Sequence, residues 1–457
     1  MHDDFEDGRV VVVGVSLAGL RAAEALREEG FVGSLTLVGD ERQEPYDRPP
    51  LSKQVLLGRS PPDHTALPRR HPIDAEWRLG VAATGLDLDA KRVRLADGNE
   101  LAFDRLLIAT GVRAKAWRYP EQAALRGVHT LRTVDDARAL LDALDAVPTR
   151  VLVIGAGFTG SEIASVCRER GLAVTVAERG PAPLAGALGG VLGEGAADLQ
   201  REHGVDLRCG VTVSALEGDE QGRLRRARFS DAATLDVDVA VVALGAVRNT
   251  EWLAGSGLAA GPRGVASDAG CRAFDLNGIV TDDVFVAGDV ARFPHPLYDY
   301  QLLALEHWGN AIAQAEVAAH NMVHSGSRRR PHLSIPAFWS HQFGVNIKSV
   351  GVPTFADEVA IIQGSTAEHR FVAAYGYRGR LTAAVSFDQA KWLDFYTRQI
   401  ERAAPFPPTY RPMDAPAKVQ PVPADVPDPA LVSHAPTVTV TGHRPDERRV
   451  VFDPAHA

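Results

Sequence analysis

The feature that most constrains this chain is one strand, glycine turn and helix pattern that occurs twice, as VVVVGVSLAGL at residues 10–20 and VLVIGAGFTGSEIA at residues 151–164. Each copy opens on an apolar run short enough to be a strand buried on both faces of a parallel sheet. The helix that follows begins with backbone N–H groups that have no partner inside it, and its dipole adds to their pull on a diphosphate. In the first copy Gly14 allows the tight turn, Ser16 stands where a second glycine usually lets the backbone approach a pyrophosphate, and Gly19 allows close helix–strand packing. The helix is predicted over residues 20–29. The next strand, SLTLVGDE at 34–41, ends in Asp40 and Glu41, at the separation from Gly14 expected of a carboxylate that accepts from an adenosine ribose.

The second copy keeps Gly155, Gly157 and Gly160, and its helix is predicted from about Ser161. Its partner strand LAVTVAE, residues 172–178, ends in Glu178, which would bond ribose hydroxyls and repel a 2′-phosphate, favouring NADH. Arg179 follows directly and keeps NADPH open. A third segment, VFVAGD at 284–289, places Gly288 and Asp289 after an apolar strand, where a carboxylate can accept from a ribitol hydroxyl. Taken singly, each turn is also compatible with another ligand or none. Three in this order describe a flavoprotein that binds two dinucleotides.

At 457 residues the chain exceeds the size at which one core usually stops growing, so several domains are expected. Its 45% hydrophobic and 23% charged residues, with 42 glycines, suit an α/β enzyme. No run approaches the roughly 18 apolar residues that span a bilayer. The opening MHDDFEDG is acidic, unlike a basic leader, and the cytoplasm is the expected compartment. A net charge of −9 argues against a nucleic-acid binder. Cys167, Cys209 and Cys271 form no CxxC or CxxxxC pair, so thiol redox chemistry is not expected. No metal site is expected.

The segment LAFDRLLIATGVRA, residues 101–114, carries a predicted strand over 105–109 that ends at Thr110 and Gly111, where the chain leaves the first sheet. LDVDVAVVALGAVRNT, residues 235–250, ends a second such strand at Gly245 and carries the chain back. The second dinucleotide domain is thus inserted into the first. Residues 335–400 read as alternating strands, among them HRFVAAYGY and RLTAAVSF, then a helix, a smaller α+β domain. Beyond Ala404 the Pro-rich stretch 406–430 reads as polyproline or disordered chain, and TVTVTGHRPDERRVVF at 437–452 alternates like a strand pair with no stated docking place.

Further motifs, PYDRPPLSK (45–53), ATG (109–111), LRTVDDA (131–137), FVAGDVARF (285–293), EHWGNAIAQ (306–314) and FWSHQFG (338–344), give the chain its resemblance to a known family. It resembles the FAD-dependent NAD(P)H:ferredoxin reductases of bacterial oxygenase systems, and the resemblance covers residues 10–404. What it implies is an α/β, glutathione-reductase-like fold with two Rossmann-type dinucleotide-binding domains and a C-terminal α+β interface domain. The implied boundaries are 1–114 with 245–327 for FAD, 115–244 for NAD, 328–404 for the interface domain and 405–457 for the tail.

By the same resemblance, Ala18 and Asp40 contact the FAD diphosphate and ribose, and Lys53 lies beside the isoalloxazine near N5, after Arg48 and Pro49 of its motif. Ala83 touches the adenine through its backbone, and Ala109, Thr110 and Gly111 border the cofactor. Arg132 lies near the polar side of the flavin, and Asp289 binds ribitol or diphosphate. Trp308, after Glu306 and His307, offers its backbone N–H to the pyrimidine edge from a helix predicted to begin at 303–306. Phe158 and Thr159 complete the NAD turn, and Glu162 reaches back to Lys53. The chain departs from the family at Ser16, at Arg248 where a proline is usual, and at His341 where an aspartate is usual.

The implied activity is hydride transfer from NADH to FAD, with NADPH possible, then single electrons to a 2Fe-2S or 3Fe-4S ferredoxin that feeds a cytochrome P-450 monooxygenase or a Rieske dioxygenase. Candidate contacts for an acidic ferredoxin are Arg69, Arg70, Arg328, Arg329, Arg330, Lys348 and Lys391, and Trp339 is expected near the route to the partner. The alternatives are a pyridine-nucleotide disulfide reductase or NADH oxidase, for which no cysteine precedes Cys167, and a flavoprotein whose NADH-bound state is a binding signal.

Overall fold

A computed structural model describes residues 4–408, 437–441 and 449–453. The chain condenses into two units, the first made of Met1–Leu51, Ser60–Ala114 and Ala246–Pro336, the second of Ser52–Arg59, Lys115–Gly245 and Ala337–Ala457.

In the first unit the apolar run Arg9–Val13 pairs in parallel with Ser34–Gly39 on one side and Arg105–Ile108 on the other. The sheet extends through Glu76–Leu79 at one edge and through Val280–Val286 and Arg272–Phe274 at the other. The helix Leu17–Glu28 starts three residues earlier than the sequence pattern suggests, because Ser16 is already its N-cap. It packs against the helix Trp308–Val323, and Leu20, Leu26, Ala315 and Met322 share the core between the helices and the sheet. That second helix begins at Trp308 rather than at 303–306. Leu302 and Leu303 are instead a short strand paired with Ala291–Pro294, and His307 is extended, with φ −120°.

The two connections between units meet within the first unit as a ribbon, Val112–Ala114 antiparallel to Ala246–Arg248. Asn249 donates to the Thr110 carbonyl and the Thr110 hydroxyl donates to the Asn249 carbonyl, both at 2.8 Å. These reciprocal bonds satisfy backbone groups where the strands separate.

Two large sheets, beside a small antiparallel one of Val213–Gly218, Leu224–Phe229 and Thr234–Asp236, build the second unit. One is parallel, with Val151–Ile154 between Val174–Glu178 and Val239–Val242. Its helix Phe158–Glu169 again starts three residues before the sequence estimate, with Gly157 as N-cap. The other sheet is antiparallel, running through Ala337–Gln342, Val345–Gly351, Arg380–Phe387, Arg370–Tyr377 and Glu358–Ser365, followed by the helix Leu393–Glu401. Thr437–Thr441 adds to the Glu358–Ser365 edge and pairs antiparallel with Arg449–Asp453, and residues 442–448 lie outside the described residues. The Pro-rich residues 409–436 lie outside the described residues. Among the described residues no helix is long and apolar enough to cross a membrane.

Candidate functional site: two glycine turns and a buried carboxylate

At both fingerprints backbone crowding dictates glycine. Gly14 has φ +110°, and a Cβ there would lie 2.2 Å from the Ala109 carbonyl oxygen; at Gly19 it would lie 1.9 Å from that of Gly14. Gly155, with φ +102°, and Gly160 repeat this, meeting the carbonyls of Ala243 at 2.4 Å and Gly155 at 2.0 Å. Gly157 differs, since a Cβ there meets nothing within 4 Å. Its missing side chain leaves space at the helix N-terminus, as a diphosphate needs. Ser16 holds the matching place in the first turn, and its hydroxyl makes no capping bond to the helix, so the amides of Leu17, Ala18 and Gly19 have no acceptor within it.

The other first-unit residues singled out from sequence lie at strand ends, turns and loops, with Ala109 and Gly288 packed against the first turn and its helix. Asp40 is exposed at the strand end, while Glu41 is held by the Tyr46 hydroxyl and the Arg48 guanidinium. Pro49 begins a short 3-10 turn, Ala83 begins the strand Ala83–Asp87, and Ala109 is buried at the end of Arg105–Ile108. Gly111 takes φ +60° in the crossover. Gly288, with φ +80°, brings the loop before Asp289 against the first helix, where an added Cβ would be 3.1 Å from that of Ala18. The Gly288 N–H donates to Gln314 at 2.9 Å.

The Trp308 indole donates to Asp47 at 2.9 Å, which fixes the first residue of its helix. No side chain of the N-cap His307 bonds to that terminus, so the amides of Gly309 and Asn310 have no acceptor within the helix. Burial pushes the His307 imidazole down to about 4, with Asp289 opposing, so it is neutral at pH 7. Arg248, at the place of the usual proline, pairs with the exposed Glu306 at 3.3 Å.

In the second unit the two oxygens of Glu178 accept from the Ala156 and Gly180 amides, at 2.7 and 2.6 Å. The carboxylate is thereby aimed beside the second turn, and Arg179 is exposed. Phe158 packs on Phe338 with ring centroids 4.7 Å apart, Thr159 is exposed, and Gly245 turns the chain with φ +87°. Arg132 lies next to Thr133, whose hydroxyl and Asp136 form a capping box for the helix Val134–Asp145. The Arg132 amide donates to the same Asp136 carboxylate at 2.9 Å.

One turn into the helix Phe158–Glu169, Glu162 is buried. Its Oε2 lies 2.7 Å from Lys53 Nζ and accepts from the Ser52 hydroxyl at 2.5 Å, while Oε1 accepts from the Ser340 hydroxyl at 2.6 Å. Gln342 donates to Ser340 at 2.9 Å, extending the network to the antiparallel sheet. Lys53 and Glu162 side chains are 15% and 7% exposed, so this is a shielded pair with hydrogen bonds on both carboxylate oxygens. The short segment Ser52–Arg59 clusters with the second unit while Arg48 and Pro49 belong to the first, so the 45–53 motif divides between the units. Ser52 and Ser340 were not singled out from sequence, where nothing marks two serines so distant from Glu162.

Along Ala337–Gln342 side chains alternate, with Ser340 and Gln342 inward and Trp339, 44% exposed, outward. Trp339 faces Lys348 across the strand pair. Several arginines named from sequence are engaged within the first unit: Arg69 with Glu44, Arg70 with Glu316, Arg328 with Asp4 and Arg329 with Asp282.

Cys167 and Cys271 are buried, Cys209 partly so, and all three are free. Burial pushes the Cys167 thiol up to about 12 and raises the other two, opposite to a reactive thiolate. Replacing Cys209 by serine is therefore expected to leave any catalytic turnover of the protein within about twofold of wild type. A loss beyond tenfold with flavin content intact would restore a thiol mechanism.

Residues 8–315 match the pyridine nucleotide-disulphide oxidoreductase family, and residues 337–417 match the reductase C-terminal domain. The chain is 35% identical over 383 residues to the probable ferredoxin reductase CtmF of Castellaniella defragrans, covering 83% of this chain and 90% of that protein. It is 33% identical to the ferredoxin–NAD(+) reductase component of the anthranilate 1,2-dioxygenase system of Burkholderia cepacia, covering 86% and 94%. Among solved structures it is similar to the covalent putidaredoxin reductase–putidaredoxin complex, with a TM-score of 0.80, 27% identity and coverage of 87% and 94%.

Proposed function

The chain belongs to the pyridine nucleotide-disulphide oxidoreductase family and carries its reductase C-terminal domain, and from that premise we propose that it is a ferredoxin reductase passing electrons from NADH through FAD to an iron-sulfur ferredoxin of an oxygenase system. The single observation that carries this reading is the pair of equivalent glycine turns, in a chain whose three cysteines are buried or partly buried and form no CxxC pair. Two dinucleotides are accommodated, and the dithiol of a disulfide reductase is missing. The relatives, named as ferredoxin reductases, support the acceptor class.

Bound FAD supplies the chemistry that the side chains lack, accepting a hydride and releasing electrons one at a time. The protein contributes placement and field. The first turn, from Gly14 to Gly19, would hold the FAD diphosphate on the amides of Leu17 to Gly19, with Asp40 and Asp289 as carboxylate acceptors for its sugar hydroxyls. The helix N-terminus at Trp308 would offer amides to the edge of the ring where negative charge gathers on reduction. Neutral His307 adds no charge of its own there.

The second turn would receive the NADH diphosphate at Gly157, with Glu178 accepting from the adenosine ribose. Glu178 supports NADH over NADPH because a 2′-phosphate would meet its charge. Glu162 lies in the first turns of the same helix and holds the Lys53 ammonium, so nucleotide binding at that helix bears directly on this cation. The proposal keeps the domains read from sequence, 1–114 with 245–327 for FAD, 115–244 for NAD, 328–404 for the partner and 405–457 as the tail, while the two units divide instead at 336/337 and count Ser52–Arg59 with the second.

We place the electron exit beside Trp339, on the outward face of the antiparallel sheet with Lys348. Trp339→Ala is expected to lower kcat/KM for ferredoxin reduction by about tenfold or more, as for loss of an aromatic anchor, and to leave NADH-dependent reduction of a small acceptor unchanged. Ferredoxin turnover should fall with rising ionic strength while small-acceptor turnover does not. Wild-type ferredoxin kinetics in the variant would remove Trp339 from the route. Turnover with a disulfide but with no ferredoxin of a broad 2Fe-2S and 3Fe-4S panel would overturn the proposed function.

A further inference from the structure

At the ends of the two packed helices of the first unit, two histidines and a glutamate converge. His320 and His324 are one turn apart at the C-terminus of Trp308–Val323, and Glu29 caps the C-terminus of Leu17–Glu28. Their ligand atoms lie within 4.8 Å of one another, the one such group of three among the described residues. The carboxylate faces both rings, with Oε1 3.0 Å from His320 Nδ1 and Oε2 2.9 Å from His324 Nε2.

The outer side of each ring decides what the inner side can be. His320 Nε2 is 2.8 Å from the Arg328 carbonyl oxygen, which only accepts, so Nε2 carries the hydrogen and Nδ1 of the neutral ring presents its lone pair. His320 is 4% exposed, and that Nδ1 is buried and directed at Glu29. On its outer side His324 faces Asp4, with Nδ1 3.1 Å from Oδ2, so its neutral form likewise turns the Nε2 lone pair toward Glu29. Two imidazole nitrogens thus face the two oxygens of one carboxylate, with the ligand atoms within 4.8 Å of one another. Helix C-termini add negative potential, which a carboxylate such as Glu29 aggravates and a cation relieves.

We propose that Glu29, His320 and His324 bind a divalent transition metal ion of the zinc type, which clamps the N-terminal segment and the C-terminal ends of the two helices together. Two imidazoles and a carboxylate are a donor set suited to zinc, and histidines at i and i+4 present both rings on one helix face. Ligand bonds of about 2.0–2.2 Å in a tetrahedron separate ligand atoms by roughly 3.3 Å, so the N–O pairs need open only by a few tenths of an ångström. Asp4 and the Arg328 carbonyl supply the outer hydrogen bonds that orient metal-bound histidines. Asp4 is itself paired with Arg328, and the neighbouring Phe5 donates its amide to the Val323 carbonyl at 2.8 Å and stacks on Phe31. The ion thus joins three chain segments whose ends already meet. The helices it ties are those whose opposite ends carry Ala18 and Trp308, so its role is structural support of the FAD site rather than chemistry.

The test uses the untagged, FAD-loaded full chain, freed of metal with a chelator and equilibrated with zinc chloride by dialysis. Elemental analysis is expected to find one zinc per wild-type chain, with a melting temperature higher by roughly 5 °C or more when zinc is about 100-fold above Kd. His324→Gln and Glu29→Gln should each lose that equivalent and the thermal shift while keeping the flavin spectrum, and Asp4→Asn should weaken binding by roughly 10- to 100-fold. Zinc uptake equal in wild type and in whichever of the two ligand variants retains flavin would overturn the proposal. So would a wild type that takes up no zinc and shows no shift, which would make the cluster a protonated histidine–carboxylate network.

Discussion

Gly157→Val is expected to abolish most NADH binding while leaving a fully folded, yellow protein. The backbone at this position, φ −71° and ψ −172°, is one that valine adopts readily, and a Cβ built there touches nothing within 4 Å. Folding therefore has no objection to the substitution. Ligand binding does, because the added methyls occupy the space through which a diphosphate reaches the amides of Phe158, Thr159 and Gly160. Hydrogen bonds to a charged group are worth about 1.5–3 kcal/mol each, so losing two raises the NADH Kd by roughly 100-fold or more. FAD content and melting temperature should match wild type. Gly157→Ser is the control, since Ser16 already stands at the matching place in the first turn, and its effect should stay within about tenfold. A Gly157→Val protein that binds NADH normally would mean that the second turn holds no dinucleotide.

The largest expected loss of stability is at Glu162. Its carboxylate holds the Lys53 ammonium and accepts from Ser52 and Ser340, all in a shielded setting. Glu162→Ala removes these acceptors together and takes the counter-charge from a largely buried ammonium, a loss of about 3–5 kcal/mol for breaking such a pair. Urea unfolding of the variant should show it as a lowered midpoint. Glu162→Gln keeps an oxygen acceptor for one hydroxyl and should lose less. Because Lys53 and the helix that begins at Gly157 are linked through this carboxylate, Glu162→Gln should also slow hydride transfer from NADH, by about tenfold, with FAD content retained. Wild-type stability and reduction rates in both variants would make the network incidental.

The glycine turns were legible in the sequence because backbone contacts, not ligand taste, demand glycine at 14, 19, 155 and 160. Helix starts were misjudged at three places for local reasons. Ser16 and Gly157 are residue types that N-caps favour and do act as N-caps, which a reading of the turn as a glycine fingerprint alone passes over, and Leu302–Leu303 spends the residues before Trp308 on a strand pair. The LRT motif carried a readable capping box in Thr133 and Asp136 that a reading of Arg132 alone passes over. The division of the 45–53 motif between units could not be read, because it depends on Leu56 entering the core of the second unit and on Arg170 donating to its carbonyl. The His320 and His324 spacing was visible in the sequence. Its partner Glu29 was not, since only the packing of the two helices brings them together.

The central claim is tested most directly by anaerobic stopped-flow in two mixing steps, NADH or NADPH with the FAD-loaded protein, then the product with a 2Fe-2S or 3Fe-4S ferredoxin. The expected result is rapid loss of flavin absorbance with NADH, slower loss with NADPH, and its return as one ferredoxin is reduced. Flavin that bleaches with NADH yet is reoxidised by no ferredoxin would contradict the account, and so would a protein that binds no flavin.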